Sequence, residues 1–291
     1  MFRSLCSASL ALLLMAGGVT AGNLHPAYSA MQQATGIPGT LLGGIDFSNA
    51  DWKSASHVLR EGAWQPPNYP LKAVSDSTKQ VGGKVLKATY PINSSSPASH
   101  RNYGTPLGGG QFAADFNLTP RRSMGLDYYV YFPSGFAFNK GGKLPGLYGG
   151  SVSSASGGRI ASDSFSTRLM WRKGGQGELY AYFPNPKAES LGVSYGDGIS
   201  IGRGSFTFKP GTWTHIRQVV KFTGTQTGSI QLWVNDMQTP VINIQNATLG
   251  TSTPLTVSGL YFSTFFGGSD ASWGSPKSQY ALFTGFTVWE P

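Results

Sequence analysis

The sequence predicts an all-β fold, a jelly-roll sandwich of two antiparallel sheets, and three observations lead there. Short apolar or alternating segments recur along the chain, clusters of Gly, Pro, Asn and Ser separate them, and no stretch sustains a helical period. Forty glycines and 18 prolines in 291 residues supply turns, while a 13% aromatic content suits pleated, half-buried surfaces. Many short strands at regular spacing favour a sandwich over a parallel α/β sheet.

Taken in order, the chain begins with Met1, Phe2 and Arg3, runs through an apolar stretch from Leu10 to Met15, and reaches the small residues Val19, Thr20 and Ala21. That is the pattern of a secretory leader over 1–21, cleaved after Ala21. Residues 22–42 are small and polar without a period and read as an irregular lead-in, leaving 43–291 as one domain. Strands are expected over 83–90, 111–116, 125–132, 164–171, 178–183, 213–222, 229–235, 255–264 and 280–289. In 213–222, Ile216, Val220 and Phe222 alternate with Trp213, His215, Arg217 and Lys221, as in a strand with one solvated face. No internal repeat or low-complexity linker marks a second domain.

The composition excludes several chemistries. Cys6, the only cysteine, lies in the leader, so the mature chain has neither disulfide nor thiol chemistry and depends on core burial for stability. The apolar run of the leader is too short to span a membrane, and no later segment does better. Net charge is +9, of which the leader contributes only Arg3, so the partner is expected to be an anion. Only 12% of residues are charged, and no Lys/Arg-rich run marks a nucleic-acid arm. Together with export, this favours an acidic polysaccharide. Sequons at Asn93, Asn117 and Asn246 fit a surface-glycosylated product.

His25, His57, His100 and His215 are scattered without zinc-site spacing, so neither a metal nor a cofactor is expected. There is no G-x-S-x-G elbow, and Gly108, Gly109 and Gly110 lack the Lys-Ser or Lys-Thr of a phosphate loop. Glycoside hydrolysis needs two carboxylates, and Glu178 stands alone on its strand.

The chemically richest stretch is 165–183, FSTRLMWRKGGQGELYAYF, two strands folded on a glycine turn. Residues two apart on a strand share a face, and an odd-length loop centred near Gly174 sets Ser166 opposite Tyr182 and Arg168 opposite Tyr180. All four then point the same way. A guanidinium, two phenols and a hydroxyl on one patch suit an anionic substrate that loses and regains a proton. Cleavage of a polyuronate by β-elimination needs such a set: charge to neutralise the C5 carboxylate, a base for the C5 proton and an acid for O4.

Three ordered blocks carry a family likeness: KLPGLYGG from Lys143, FSTRLMWR, and GELYAYFP, with STFFGG at 263–268 and Trp273 behind them. Over roughly 83–291 the chain resembles polysaccharide lyase family 14, whose members include alginate lyases and a polyglucuronate lyase. The resemblance implies a jelly roll with a cleft on one sheet and catalysis without a metal. It places the family lysine at Lys143, its Ser-x-Arg at Ser166 and Arg168, and its Tyr-x-Tyr at Tyr180 and Tyr182. Arg168 is then the carboxylate neutraliser and Ser166 a hydrogen-bond donor to the sugar, with Lys143 and one tyrosine sharing the base and acid roles. Gly141, Gly142, Gly146, Gly149 and Gly150 suggest a loop that approaches or moves over a bound chain. Tyr148, Phe266 and Trp273 are kept out of the site, since most aromatics of a β-rich chain are core. The expected function is a secreted lyase of glucuronan or alginate. The rival reading is a jelly roll that binds acidic glycans without cutting them.

Overall fold

In the computed structural model, residues 36–159, 162–184 and 198–291 are described. The leader, Cys6, His25 and the lead-in up to residue 35 lie outside the described residues. The strands, in chain order, are β1 (Thr40–Gly44), β2 (Val58–Trp64), β3 (Lys72–Ser75), β4 (Lys84–Tyr90), β5 (Gly110–Ala114), β6 (Ser123–Tyr131), β7 (Gly141–Gly149), β8 (Phe165–Arg172), β9 (Gln176–Tyr182), β10 (Ile199–Thr207), β11 (Trp213–Phe222), β12 (Thr227–Val234), β13 (Ile242–Thr248), β14 (Gly259–Phe266) and β15 (Gln279–Glu290). They form two antiparallel sheets, the jelly-roll arrangement expected. The outer sheet runs β13-β12-β11-β6-β15-β4-β3, with β1 paired to the end of β15, and the cleft sheet runs β10-β9-β8-β7-β14-β5-β2.

Alternation explains the sandwich. On β12, Ile230, Leu232 and Val234 are buried while Ser229, Gln231 and Trp233 are half-exposed, so one face turns to the core. Leu126, Ile216 and Val220 from the outer sheet meet Leu144, Leu147, Leu169 and Leu179 from the cleft sheet in one continuous core. Each such side chain contributes about 1.5–3 kcal/mol by leaving water. One end of the sandwich is closed by aromatic rings, among them Tyr90, Phe132, Phe136, Trp171 and Phe266, packed mostly edge to face.

Among the described residues, two short α-helices flank the sheets. Helix α1 is Trp52–Ala55 and α2 is Pro97–Tyr103. The start of α2 is dictated locally: the Ser96 side chain accepts from the Ser99 N–H, Pro97 occupies the first turn, and Gly104 at φ 68° ends it.

All nine expected strands are present, although the segment expected at 255–264 begins at Gly259. Two expectations need correction. The glycines at 141–149 form no loop: β7 is a central strand, buried along its whole length, and only Gly150 lies past its end, exposed at φ 71°. A Cβ at Gly142 would lie 2.1 Å from the Trp171 ring, and one at Gly146 would lie 2.0 Å from the Thr167 carbonyl oxygen. These glycines exist for close packing rather than for motion. Nor is one face of β11 solvated as expected. Lys221 is exposed, but His215 and Arg217 are buried around Asp127, which accepts from Arg217 Nε at 3.0 Å and from the Trp289 indole at 3.1 Å.

Candidate active site

The hairpin of β8 and β9 turns through Lys173–Gly175, with Gly174 in the left-handed region at φ 70°. This three-residue turn fixes the expected register, with Ser166 facing Tyr182 and Arg168 facing Tyr180. On the adjacent strand, Lys143 pairs with Met170, and Gly146 pairs with Arg168. Between them, at Pro145, the β7 register slips by one residue. The slip lets Leu144 and Leu147 both enter the core although they are three positions apart, while Lys143 faces the other way. Gln218 from β11 satisfies the backbone that the slip disturbs. Its side-chain oxygen accepts from the Leu147 N–H at 3.1 Å and its amide donates to the Thr167 carbonyl at 2.8 Å.

The outer face of this sheet carries a cleft of about 640 Å³. All seven strands line it: Arg203 from β10, Tyr180 and Tyr182 from β9, Arg168 and Arg172 from β8, Lys143 from β7, Tyr261 from β14, Gln111 from β5 and Trp64 from β2. Helix α2 adds Arg101 to the rim. The described lining includes six cationic side chains, the sixth being Arg159, and no carboxylate.

Four of the five predicted residues converge on the cleft floor. The Lys143 ammonium lies 3.3 Å from the centre of the Tyr180 ring and 5.7 Å from that of Tyr182. The Arg168 guanidinium lies 4.6 Å from the Tyr261 ring and 5.6 Å from that of Tyr182, so its charge is held between two aromatic faces. One of its nitrogens donates to Ser263 Oγ at 3.2 Å, and Ser263 donates in turn to Gln111 at 2.9 Å. Arg168 Nε has no hydrogen-bond partner among the described residues, although Arg168 is only 2% exposed. Such a donor in a cationic cleft is suited to an incoming oxyanion.

Ser166 is the exception. It is fully buried, it does not line the cleft, and its hydroxyl donates to the Ala155 carbonyl at 2.7 Å. Its contacts are those of a residue that ties the 155 turn to β8, not of a donor to a sugar.

Glu178 has a different role from that of a proton donor. Arg172 Nε donates to it at 2.7 Å, as do Arg203 Nε and the Ser200 hydroxyl. Burial would raise its pKa, but the hydrogen bonds and charge of Arg172, then Ser200 and Arg203, hold it below the ordinary glutamate value. It is an ionised anchor for two cleft arginines, and Arg172 extends from it to 5.6 Å from the Tyr180 ring and 5.9 Å from that of Trp273.

Sequence reasoning missed Arg172, Arg203, Tyr261, Trp64 and Trp273. Arg172 was within reach, because it continues the alternation of Ser166, Arg168 and Met170 along the same face. Trp273, kept out of the site, lines the cleft, whereas Phe266 is core and Tyr148 is buried in a separate cluster with Ala113, Val152 and the cleft-lining Tyr261. The sequon residues Asn93, Asn117 and Asn246 are exposed, each at positive φ.

Solved structures similar to this chain include several alginate lyases. A marine alginate lyase of family PL-14 from Aplysia kurodai is 27% identical with a TM-score of 0.65, covering 87% of this chain and 98% of its own. An alginate lyase from a Chlorella virus is 24% identical with a TM-score of 0.67, covering 86% and 100%. A variant of the alginate lyase Aly36B, solved with an alginate trisaccharide, is 20% identical with a TM-score of 0.57, covering 80% and 98%. No curated protein sequence matches the chain. The profile described as Polysaccharide lyase 14 matches residues 78–286, a span that holds the cleft floor and most of the two sheets. By that match the chain belongs to polysaccharide lyase family 14 and is a polysaccharide lyase.

Proposed function

We propose that the protein is a secreted lyase that cleaves an acidic polyuronate, alginate or glucuronan, by β-elimination without a metal. The observation that carries this reading is the convergence of Lys143, Arg168, Tyr180 and Tyr182 on the floor of a cleft whose described lining is cationic and free of carboxylates. The alginate lyase from Aplysia kurodai, 27% identical over most of both chains, supports the same substrate class.

In this reading a uronate ring lies over the cleft floor with its carboxylate toward Arg168. Neutralising that carboxylate makes the C5 proton removable, because the charge that develops on C5 spreads onto the carboxylate oxygens. Lys143, Tyr180 and Tyr182 are the proton-transfer groups at hand. One takes the C5 proton, the C4–O4 bond breaks with its electron pair leaving on O4, and another gives O4 a proton as the C4=C5 double bond forms. Guanidinium and ammonium groups supply all the positive charge that the step requires, so a chelator is expected to leave the rate of the purified enzyme unchanged. A loss of activity in chelator that a divalent cation restores would overturn the metal-free part. Export uses residues 1–21, and mass spectrometry of the mature protein from the medium is expected to find Gly22 first.

The deciding experiment incubates the purified protein with polymannuronate, polyguluronate and polyglucuronate and follows the ultraviolet absorbance of the unsaturated product. A rise with at least one polymer is expected. Binding with no absorbance rise on any of them would favour a non-catalytic carbohydrate-binding role.

A further inference from the structure

At the β2 edge of its sheet the cleft borders on a second cavity. Strand β2 pairs with β5 at Val58 and Leu59, opposite Ala114 and Ala113, and pairs again only at Trp64, opposite Gln111. β2 therefore advances from Leu59 to Trp64 while β5 advances only from Ala113 to Gln111, and residues 60–63 arch away from the ladder. The arch is pinned. The Glu61 carboxylate accepts from the Ser153 N–H at 3.1 Å and from the hydroxyls of Ser151 and Ser153, and the Gln111 amide donates to the Gly62 carbonyl at 2.7 Å.

The second cavity, of about 560 Å³, lies against this arch. Ala63, Trp64 and Gln111 line both it and the catalytic cleft, so the two spaces share a wall. Its apolar lining includes Leu59, Leu71 and Phe112, and the exposed side chains of Lys53 and Arg60 also border it. No carboxylate lines it among the described residues, and nearby Asp115 is taken up by a hydrogen bond with the His57 ring. Apolar walls with an indole, beside two cations, match the two surfaces of a uronate ring. The C–H faces of the sugar pack on aromatic and aliphatic groups, and its carboxylate takes the guanidinium and ammonium.

We propose that this cavity is a distal subsite for the same polyuronate chain that lies in the cleft, holding a sugar beyond those at the cleft floor. The inference rests on the polyuronate reading above and deepens it. Because Lys53 and Arg60 contact only the distal sugar, they contribute to capture of long chains and not to the chemical step.

The test uses the full mature protein with the double substitution Lys53→Ala and Arg60→Ala, and with the charge reversal Lys53→Glu and Arg60→Glu. KM and kcat are measured on polymer and on the matching tetrasaccharide of whichever uronan the wild type degrades. A variant with Lys84→Ala and Lys221→Ala, both exposed on the outer sheet, controls for net charge. The alanine pair is expected to raise KM for polymer by roughly three- to thirtyfold, the scale of losing two exposed charge contacts, with kcat unchanged. Charge reversal is expected to raise it further, while tetrasaccharide kinetics and the control variant match the wild type. Unchanged polymer KM in both cavity variants, or an equal loss on polymer and tetrasaccharide, overturns the subsite. If the wild type degrades none of the uronans, the failure lies with the substrate reading and not with the subsite.

Discussion

Side chains on one face of β8 meet different fates because they differ in depth and in partners. Arg168 has a guanidinium held between two phenol rings and a nitrogen without a partner among the described residues, so its charge is available to a substrate. Replacing it with Ala, or Tyr182 with Phe, is expected to lower kcat by about two orders of magnitude or more, the scale of losing a charge stabiliser or a proton-transfer group. Turnover near normal in both variants, followed by product absorbance, would place the chemistry elsewhere. Ser166, two residues before Arg168, has its hydroxyl committed to the Ala155 carbonyl. Ser166→Ala is expected to cost about 1–2 kcal/mol of stability, read from denaturant unfolding, and to leave kcat and KM within about twofold of wild type. A large loss of kcat at unchanged stability would restore it to the site. Period-two alternation placed these residues on one face, because strand geometry is local. Depth was hidden, because what covers Ser166 is the turn at Ala155, eleven residues away in sequence and placed there by the fold.

At the scale of elements, β7 is where sequence logic and structure part. Its glycines and proline carry the composition of a loop, and only the neighbouring strands reveal why a central strand needs them. The Trp171 ring and the Thr167 carbonyl occupy the space that side chains at Gly142 and Gly146 would take. The register slip at Pro145 leaves the Leu147 N–H and the Thr167 carbonyl to Gln218 of the opposite sheet. Gln218→Leu is expected to destabilise the protein by about 2–5 kcal/mol, since two buried backbone groups lose their partners. Because Lys143 stands two residues before the slip, kcat at a temperature where the variant is folded is also expected to fall. Equilibrium unfolding at wild-type stability would show that the backbone finds other partners. The outer sheet offers the complementary lesson. Alternation along β11 was correctly read, but its polar face holds a buried ionic cluster because Asp127 on β6 and Trp289 on β15 converge on it, and neither is near in sequence.

Among the described residues two carboxylates are buried, Asp127 in the outer sheet and Glu178 in the cleft sheet. Burial opposes ionisation of Asp127 and of Glu178, yet hydrogen bonds and charge from His215 and Arg217, and from Arg172, Ser200 and Arg203, hold both below their ordinary values. A carboxylate whose native value is depressed stabilises the fold fully above its unfolded value, and that contribution is lost as pH falls through the native value. The thermal midpoint is therefore expected to hold at neutral pH and to fall progressively below about pH 4, near the ordinary carboxylate range. Asp127→Asn is expected to unfold at lower temperature at pH 7 and to show a shallower acid decline. A midpoint independent of pH down to 3 would contradict this account. The sandwich itself was legible because turn residues and alternation recur throughout the chain, whereas edge strands such as β3 and β13, short or polar, gave little signal. One consequence of the topology concerns the continuity of the outer sheet. β15 is hydrogen-bonded to β4 on one side and to β6 on the other, and β1 also joins the sheet through it. Without residues 279–290, no strand pairing in the outer sheet links β6, β11, β12 and β13 to β4 and β3. Pairing of that one strand is the step that makes a continuous outer sheet of what are otherwise two separate groups of strands, and disrupting it would split the sheet down its middle.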